Sequence, residues 1–302
     1  MNPVIIAHGG IEYGRSDYTA NEKEKALKNA VIQGYTLLRV GQSSVDAVES
    51  TIRILEEDKH FNAGYGSSMN SDGYIELDAG IMNGTGLRVG SVGALKDILH
   101  PITLAKYVME FTDHSLLVGD GAQKFAMDQK VPVLPAGSLV HATTTDENCR
   151  SFETPETCTV GVVAIDTRGR CTVGTSSGGG CNKMPGRVGS SAIVGGGFYA
   201  DSSIGGSVAT GHGESIVKSC LCFNLVSQMK VHTLRGDLTM LAVKNVVETA
   251  TRQSKNSVGV VALDCNGEFG VAFSAPRMPW AYCRFGELRF GAESGENHKE
   301  RL

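Results

Sequence analysis

The sequence lacks the usual signatures of metal-dependent catalysis and of nucleotide binding. It contains no H-E-x-x-H pair, no G-x-x-x-x-G-K-[ST] loop and no complete G-x-G-x-x-G after an expected strand. Its net charge of −4 comes without blocks of like charge, which argues against nucleic acid or an anionic membrane as a partner. We therefore expect chemistry that needs no cofactor for catalysis.

Long apolar runs and paired cysteines are also absent. No stretch is long enough to span a bilayer, and the short apolar run Val4–Ala7 has no basic region before it, so no signal peptide is expected. The eight cysteines show no C-x-x-C spacing, and Cys220 and Cys222 lie in an apolar run. This usage is typical of buried free thiols in a reducing compartment and predicts a cytoplasmic protein.

Glycine is the residue in excess, at 38 of 302 positions, against a usual share of about 7%. The glycines occur in groups such as Gly178–Gly180 and Gly195–Gly197 without a repeating period, which indicates tight turns and close approach of the backbone to a ligand. Hydrophobic content of 41% and charged content of 20% are ordinary for a globular protein with a sizeable core.

Hydrophobic periodicity predicts strands and helices that segregate into layers, which favours stacked sheets covered by helices. A strand at 4–7 and a helix at 21–34 are followed by a second helix over 45–55, for which Ser43 and Asp46 form an approximate capping box. Further elements are strands at 73–82 and 89–94, a helix from Pro101, a strand and helix over 116–129, and an exposed loop over 135–158.

The second half contains two segments of similar sequence. Residues 160–166 and 258–264 have nearly the same apolar pattern, and each is followed by a glycine-containing turn and another apolar run. Each copy predicts a β-hairpin, with turns at 168–169 and 266–267. Helices are expected from near Gly213, with an apolar face over 216–229, and from Asp237.

Thr159 stands where a polar stretch meets the apolar strand that begins at Val160. An internal threonine is a poor nucleophile, because its hydroxyl has a pKa far above neutral and no base beside it. A cut between Cys158 and Thr159 would create an α-amine, with a pKa of roughly 7.7–8.0, next to that hydroxyl. The position therefore predicts a nucleophile that a self-cleavage would activate.

The expected hairpin places either Ser177 or Gly178 opposite Thr159. Directly opposed residues have Cβ atoms roughly 4.5–5.5 Å apart, so a Ser177 hydroxyl could reach the hydroxyl or the amine of Thr159. A threonine–serine pair that only stabilises the hairpin would have the same spacing.

Two glycine-flanked segments carry further candidates. Arg187, between Gly186 and Gly189, could grip a carboxylate with both arms of its guanidinium, or could be a surface arginine in a loop. Residues 210–215 join a strand to a helix through glycines; they could form an anion site for a developing oxyanion, or a tight turn capped by its own hydroxyls.

Two polar residues remain from the first half of the chain. Asn62 could hold a base or the amine of the nucleophile, or could simply fix a turn. His8 could act as a base, or could be a core histidine at the end of a buried strand.

Five motifs occur in a characteristic order, at 8–10, 61–64, 159–161, 186–189 and 210–213. In this order they resemble the plant-type asparaginase, or isoaspartyl peptidase, family of N-terminal-nucleophile hydrolases, which includes aspartylglucosaminidase and taspase. The resemblance covers nearly the whole chain. It implies an α+β fold, a four-layer αββα sandwich, in a single domain 1–302 that cuts itself into an α subunit 1–158 and a β subunit 159–302.

The resemblance also implies roles for individual residues. Thr159 would be the nucleophile, Asn62 would support its amine, and Ser177 would take the place of the second active-site threonine. The remaining roles would fall to Thr210 and Gly211 at the oxyanion site, Arg187 at the α-carboxylate, and Gly213 in the pocket wall.

The resemblance further implies a structural Na⁺ and a homodimer, which after cleavage would be a dimer of αβ units. The sodium ion would bind main-chain carbonyls in a loop at Leu55, Glu56, Asp58, Phe61, Ala63 and Tyr65.

Three positions depart from the family pattern. Cys158 stands where the family has glycine, or aspartate in some branches, and Ser177 stands where it has threonine. Ser190 stands where the asparaginase pattern has an aspartate that pairs with the α-amine of the substrate; taspase also lacks this aspartate. The resemblance thus favours hydrolysis of β-aspartyl bonds in isoaspartyl peptides or asparagine. A taspase-like endopeptidase and an uncleaved, non-catalytic paralogue are the two alternatives.

Overall fold

The computed structural model describes residues 1–13, 17–140, 159–235 and 239–302, which form seven α-helices and thirteen β-strands. The helices are α1 Asp17–Arg39, α2 Ser44–Glu57, α3 Pro101–Phe111, α4 Gly119–Asp128, α5 Gly213–Lys218, α6 Leu221–Arg235 and α7 Thr239–Ser254. The strands of the first half are β1 Val4–His8, β2 Leu77–Asn83, β3 Arg88–Leu95 and β4 Leu117–Val118. Those of the second half are β5 Val160–Ile165, β6 Cys171–Ser177, β7 Phe198–Asp201, β8 Gly205–Gly211, β9 Val258–Asp264, β10 Phe269–Phe273, β11 Trp280–Arg284, β12 Glu287–Gly291 and β13 His298–Arg301.

The strands form two sheets. The larger sheet has the order β13-β12-β11-β1-β5-β6-β2-β3-β4, and the smaller has the order β10-β9-β8-β7. All pairs are antiparallel except β3 with β4. Strand β5 is therefore hydrogen-bonded on both sides, with His8 opposite Gly161 on one side and Ser176 opposite Val160 on the other.

Successive residues of β5 face opposite ways, as the two-residue period of a strand requires. Val162 and Ala164 pack in an apolar cluster with Val48 and Ile52 of α2. Val163 belongs to a second cluster, which it shares with residues of the small sheet such as Val208 and Val261. A third cluster lies between the small sheet and helices α6 and α7.

Gly161 lies where β5 of the large sheet packs closely against β8 of the small sheet. A Cβ at this position would lie 2.5 Å from Nε2 of His8 and 2.8 Å from Cγ2 of Val208. Because a side chain cannot fit there, the glycine allows β5 and β8 to bring their ends together.

Most of the expected helices and strands are present within the described residues. The helix expected over 45–55 is α2, and its N-cap is Ser43, whose Oγ accepts a hydrogen bond from the Asp46 backbone N at 3.1 Å. Both expected hairpins form, as β5–β6 and β9–β10. Residues 135–140 lie outside any helix or strand, whereas 141–158 of the expected loop, and Asp237, lie outside the described residues.

Two expectations need correction. The apolar face over 216–229 is divided between α5 and α6, because Cys220 has a φ of +45°, which interrupts the helix. The thiols of Cys220 and Cys222 are free, as expected, but only Cys222 is buried, whereas Cys220 is exposed. Cys181 is disulfide-bonded, so the expectation of free thiols is wrong at that position.

No helix in the described part of the chain has both the length and the apolar character needed to cross a membrane.

Candidate active site

Thr159 directly precedes β5. It lies at the N-terminal end of this strand, next to the small sheet. Its side chain is buried, with 4% of its surface exposed. Its backbone N donates a hydrogen bond to Oγ1 of Thr210, at 3.2 Å. Thr210 belongs to β8 in the small sheet, so this bond joins the two sheets at the predicted nucleophile.

Ser177 is the residue that the hairpin places opposite Thr159. The register pairs Val160 with Ser176, and its extension by one residue on each strand pairs Thr159 with Ser177 instead of Gly178. Ser177 is buried, and its Oγ accepts a hydrogen bond from the backbone N of Gly179 at 3.0 Å. A second hydroxyl therefore lies beside the predicted nucleophile.

Asn62 holds the turn that follows Ser177. Its Nδ2 donates to the carbonyl of Gly179 at 2.6 Å, and its own carbonyl accepts from the N of Gly178 at 2.9 Å. Its Oδ1 accepts from the N of Ser68 at 2.8 Å. In the structure Asn62 thus fixes a turn, one of the two roles the sequence left open, and the turn shapes the wall of the site.

Arg187 reaches the site between three glycines. A Cβ at Gly179 would lie 3.0 Å from Nη1 of Arg187, one at Gly189 would lie 2.5 Å from Nη1, and one at Gly213 would lie 2.6 Å from Nη2. Side chains at these positions would displace the guanidinium. Gly213, like Gly179 and Gly189, therefore leaves room for the Arg187 guanidinium.

Glu214 holds one edge of the Arg187 guanidinium. Its Oε1 accepts from Nε at 3.0 Å and from Nη2 at 2.9 Å. Partial burial acts to raise the pKa of Glu214, but the charge and hydrogen bonds of Arg187 outweigh it, so this pKa lies below its ordinary value. Nη1, which Glu214 does not contact, lies beside Gly179 and Gly189.

The strand-to-helix turn after Thr210 is shaped by Gly211 and His212. Gly211 has a φ of +116°, and a Cβ there would collide with the backbone carbonyl of Ser257, so only glycine fits. His212 is the N-cap of α5: its Nδ1 accepts from the N of Ser215 and also bonds Oγ of Ser215 at 2.7 Å. The turn is capped by a histidine, where the sequence suggested hydroxyls.

His8 lies on β1 beside the predicted nucleophile and is completely buried. Burial lowers the pKa of His8 to about 3, the nearby backbone of Thr159 opposes this shift, and the positive charge of Lys23 adds to it. The contact with Thr159 falls outside ordinary hydrogen-bond geometry. A histidine with so low a pKa is neutral near pH 7 and a poor general base, which favours the core role over the catalytic one.

Two charged residues that the sequence reading did not single out lie behind the Arg187 loop. Asp78 is buried on β2, opposite Ser177, and accepts hydrogen bonds from the N of Gly189 at 2.8 Å and of Ala94 at 2.9 Å. Burial raises the pKa of Asp78, although the charge of Lys183 opposes the rise. An aspartate inside an otherwise apolar strand was the signal that could have identified it.

Lys183 is the second of these residues. It is buried, and its Nζ donates to the carbonyl of Glu76 at 2.7 Å. Burial lowers the pKa of Lys183, while the charge of Asp78 acts in the opposite direction. Together Asp78 and Lys183 fix the segment from which Arg187 extends.

The sequence that contains these site residues matches a known protein family. The family model described as Asparaginase matches residues 1–289. The chain belongs to the asparaginase family. The match contains Thr159, Ser177, Arg187 and Thr210.

Relatives within the asparaginase family span almost the same length. A mouse isoaspartyl peptidase/L-asparaginase is 38% identical over 311 residues, covering 99% of this chain and 93% of the mouse protein. The human protein of the same name is 38% identical over 309 residues, covering 97% of each. A probable isoaspartyl peptidase/L-asparaginase from Drosophila melanogaster is 34% identical over 327 residues, covering 99% and 97%.

The loop proposed to bind sodium in this asparaginase-family chain packs tightly around two glycines. Gly64 has a φ of +53°, and a Cβ there would collide with the carbonyl oxygen of Glu56. A Cβ at Gly66 would collide with the carbonyl oxygen of Phe61 and lie 2.7 Å from that of Lys59. Carbonyl oxygens of Glu56, Lys59 and Phe61 therefore pack against these two glycines. Within the described residues, no group of three His, Cys, Asp or Glu side chains could hold a metal.

The other half of the predicted cleavage site, Cys158, lies outside the described residues. Thr159 itself is in place: the nitrogen that a cut would convert to an amine is already within hydrogen-bond distance of the Thr210 hydroxyl. This geometry can support attack by a threonine whose own amine serves as base.

Proposed function

We propose that this protein is a threonine hydrolase that cleaves β-aspartyl amide bonds in isoaspartyl dipeptides and L-asparagine. The observation that carries the proposal is the hydrogen bond from Thr159 N to Thr210 Oγ1, which sets a nucleophile of one sheet against a hydroxyl of the other. The guanidinium of Arg187 lies beside the same turn. The names of the mouse, human and Drosophila relatives support the substrate class.

The fold and maturation belong to the same proposal. Three apolar clusters lie between helices and the large sheet, between the two sheets, and between the small sheet and helices. They support a four-layer αββα sandwich of the N-terminal-nucleophile type in one domain, 1–302. The precursor cuts between Cys158 and Thr159, which yields an α subunit 1–158 and a β subunit 159–302.

The reaction begins when Oγ1 of Thr159 attacks the side-chain carbonyl carbon of the substrate. The α-amine of Thr159 takes the hydroxyl proton and then gives it to the leaving nitrogen, while an ester forms between Thr159 and the β-aspartyl group. Water attacks the ester by the reverse proton path, and aspartate leaves. Thr159 thus serves as both nucleophile and base.

Thr210 and Gly211 stabilise the negative charge that develops on the carbonyl oxygen. The Thr210 hydroxyl accepts its hydrogen bond from Thr159 through the oxygen, so its own proton is available for donation. The backbone N of Gly211 is the second donor. Removal of one such donor typically costs about 10²–10³-fold in kcat.

Arg187 binds the α-carboxylate of the substrate. Glu214 occupies the Nε and Nη2 edge, so the Nη1 edge is the one that meets the carboxylate. Ser177 supports the amine of Thr159 from the neighbouring strand, and Asn62 holds the turn behind Ser177.

Three further assignments complete the proposal. Main-chain carbonyls of the loop from Leu55 to Tyr65 suit a structural Na⁺, because carbonyl oxygens are uncharged, hard donors. The loop packs tightly at Gly64 and Gly66, where a side chain would collide with these carbonyls. The ion stabilises the loop that carries Asn62. We also propose a homodimer of αβ units and a cytoplasmic location.

The experiment that tests the proposal is the intact mass of freshly purified and aged protein, with Thr159→Ala alongside. We expect two fragments that separate between Cys158 and Thr159, and release of aspartate from a β-aspartyl dipeptide, with both absent in the variant. A single uncut chain without hydrolysis would overturn the proposal in favour of a non-catalytic paralogue.

A further inference from the structure

Three of the four outer strands of the two sheets are protected along their free edges. Strand β4 has only two residues, and β13 consists of the exposed residues His298–Arg301, which include a lysine, a glutamate and an arginine. In β7, the carbonyl of Phe198 accepts from the N of Gly195, and the N of Ala200 donates to Sδ of Met82. Short length, charged side chains and covering contacts are the usual means of preventing another strand from adding to a sheet.

Strand β10 forms the fourth edge and has none of these protections. Its residues Phe269–Phe273 include no charged side chain. In the part of the chain that the structure describes, its hydrogen-bonded neighbour on one side is β9, and no strand lies on the other. This edge is therefore open to an added strand.

The ladder with β9 shows which backbone groups of β10 point to the open side. Ser274, the residue after β10, donates its backbone N–H to the carbonyl of Val258 at 2.9 Å. Hydrogen-bonded positions alternate along an antiparallel ladder, so the even-numbered residues of β10 also bond to β9. The N–H and C=O groups of Phe269, Val271 and Phe273 therefore point outward, and among the described residues no hydrogen bond partner meets them.

The open side of β10 faces a cavity of about 470 Å³, within the range of roughly 300–1,000 Å³ that is usual for ligand clefts. Gly270 lies against Val243 of α7, so α7 covers one face of the strand. Phe269 stacks on Trp280 of the large sheet, with 5.5 Å between ring centroids. The cavity is thus bounded by α7 on one face of β10 and, on the other, by loop 293–297 between β12 and β13.

This shape suits a single extended chain better than a second copy of the protein. Both α7 and loop 293–297 line the space beside the edge. The β10 strand of a second copy would bring the same helix and loop with it, so two helices and two loops would have to surround one narrow cleft. A polypeptide segment without such covering layers has no such conflict.

The charges around the cavity favour a basic segment. Three carboxylates line the cavity, those of Glu248, Glu293 and Glu296, against one cation, Lys244. Arg277 is paired with Glu293 at 3.0 Å, and with it the carboxylates still outnumber the cations by three to two. Aromatic side chains bordered by carboxylates suit lysine or arginine, whose stem packs on the rings while its charge reaches the carboxylates.

The other charged groups near Phe269 are paired with each other. Cζ of Arg289 lies 5.9 Å from the centroid of the Phe269 ring, and Nε of Arg289 is bonded to Oε1 of Glu287. This pair is neutral as a unit, so it does not cancel the negative charge of the cavity.

We propose that β10 is a docking edge for an extended, basic segment of a partner polypeptide. The segment adds to the small sheet as a fifth strand, and its backbone bonds the outward N–H and C=O groups of β10. A lysine or arginine of the segment lies against Glu293 and Glu296. This inference does not rest on the proposed hydrolase function, since neither Thr159 nor Arg187 lines the cavity.

Trp280 provides the signal for a direct test, because it lines the cavity and is the one tryptophan of the chain. The probe is a heptapeptide of alternating valine and lysine with an acetylated N-terminus and an amidated C-terminus. It contains no aspartyl or asparaginyl group that could be hydrolysed. We expect a saturable change in Trp280 fluorescence on titration. No saturable change up to about 1 mM peptide would overturn the proposal.

Two matched peptides separate backbone pairing from charge. A fully N-methylated version keeps the side chains but has no backbone N–H, so binding should weaken by about 10-fold or more. A version with glutamate in place of lysine keeps the backbone but brings like charges together, and should also bind about 10-fold more weakly. Equal binding of the methylated peptide would overturn strand addition, and tighter binding of the acidic peptide would overturn the charge assignment.

Substitutions in the protein test the same contacts from the other side. Val271→Pro removes an outward N–H that the ladder with β9 does not use, so binding should weaken by about 10-fold. Val271→Ala keeps this N–H and is the matched control, expected to bind nearly as the wild type does. Thermal unfolding checks that both variants are folded.

A charge reversal keeps the test decisive if proline disturbs the strand. Glu293→Lys should weaken binding of the lysine peptide and strengthen binding of the glutamate peptide. An unchanged order of the two peptides would overturn the role of this carboxylate in recognition. The native mass of each variant without peptide gives the last result: a lower mass for Val271→Pro than for the wild type would show that the edge joins two copies of this chain, and would overturn the proposal.

Discussion

The backbone N of Thr159, the residue before β5 of the large sheet, lies 3.2 Å from Oγ1 of Thr210, which belongs to β8 of the small sheet. The contact is possible because Gly161 leaves no side chain between the end of β5 and Val208 of β8. After a cut, the same hydrogen bond would hold the new α-amine of Thr159. The uncut chain therefore already has the position of this nitrogen that the proposed enzyme needs.

Replacement of Thr210 by valine tests the oxyanion role. Valine has nearly the shape of threonine but donates no hydrogen bond, so we expect kcat on a β-aspartyl dipeptide to fall by about 10²–10³-fold with little change in KM. Steady-state kinetics on fully cleaved protein measures this, and Thr210→Ser is the matched control, expected to retain most of the activity. A rise in KM with kcat unchanged would assign Thr210 to ground-state binding.

Substitutions of Arg187 and of Glu214 should change KM in opposite directions. Arg187→Lys keeps the charge but loses the planar fork, so we expect kcat/KM to fall by about 10- to 100-fold, mostly through KM. Glu214→Gln keeps an acceptor for Nε and Nη2 but removes the negative charge that competes with the substrate carboxylate, so KM should fall. If both variants raised KM equally, Glu214 would be needed to orient the guanidinium.

His8 should make the folded state lose stability as pH falls. Its pKa is about 3 in the folded protein, against an ordinary value of 6.5, so between these values the unfolded state binds a proton that the folded state lacks. Stability therefore rises with pH across this window, by up to about 1.4 kcal/mol per pH unit. Chemical denaturation at about pH 7 and pH 4.5 measures it. His8→Gln should remove about 2–3 kcal/mol of the difference, and an unchanged difference would contradict the assignment.

Gly161→Ala should destabilise the protein, because its methyl group would meet His8 and Val208. Overpacking of this kind typically costs about 1–3 kcal/mol, and thermal unfolding measures it. Gly121→Ala is the control: this glycine lies in α4 with open space around it, so alanine should raise stability by about 0.5–1 kcal/mol. Equal destabilisation by both changes would show that the close approach of the sheets is not the cause.

The sequence predicted the β5–β6 hairpin from its turn at 168–169 and restricted the residue opposite Thr159 to Ser177 or Gly178; the register of the strands selects Ser177. For Arg187 the residues alone left a carboxylate-binding role and a surface role open, and only the family resemblance favoured binding. Strands β11 to β13 were not predicted, since β11 finds its partner in β1, more than 270 positions away in the pairing of Val4 with Arg284. No local sequence pattern predicts a pairing between strands so far apart in the chain.

The charges behind the site were equally hidden from the sequence. Asp78 reads as one polar residue in an apolar strand, and only the folded loop shows that it accepts the Gly189 N–H. Glu214 lies in the segment 210–215 that the sequence analysis named, yet its pairing with Arg187 depends on how the loop at 186–189 folds against that segment. Contacts between segments that are distant in sequence can be seen only in the folded structure, whereas contacts fixed by a local turn can be predicted from residue types.

The order of strands in the large sheet decides what a cut before Thr159 would do to the molecule. β11, β12 and β13 follow residue 158, β1 precedes it, β5 and β6 follow it, and β2, β3 and β4 precede it. Each part therefore holds strands on both sides of the other, and neither can leave without breaking hydrogen-bonded ladders. The two fragments would migrate as one particle under native conditions and separate only in denaturant, so self-cleavage would change the chain count without changing the unit that unfolds.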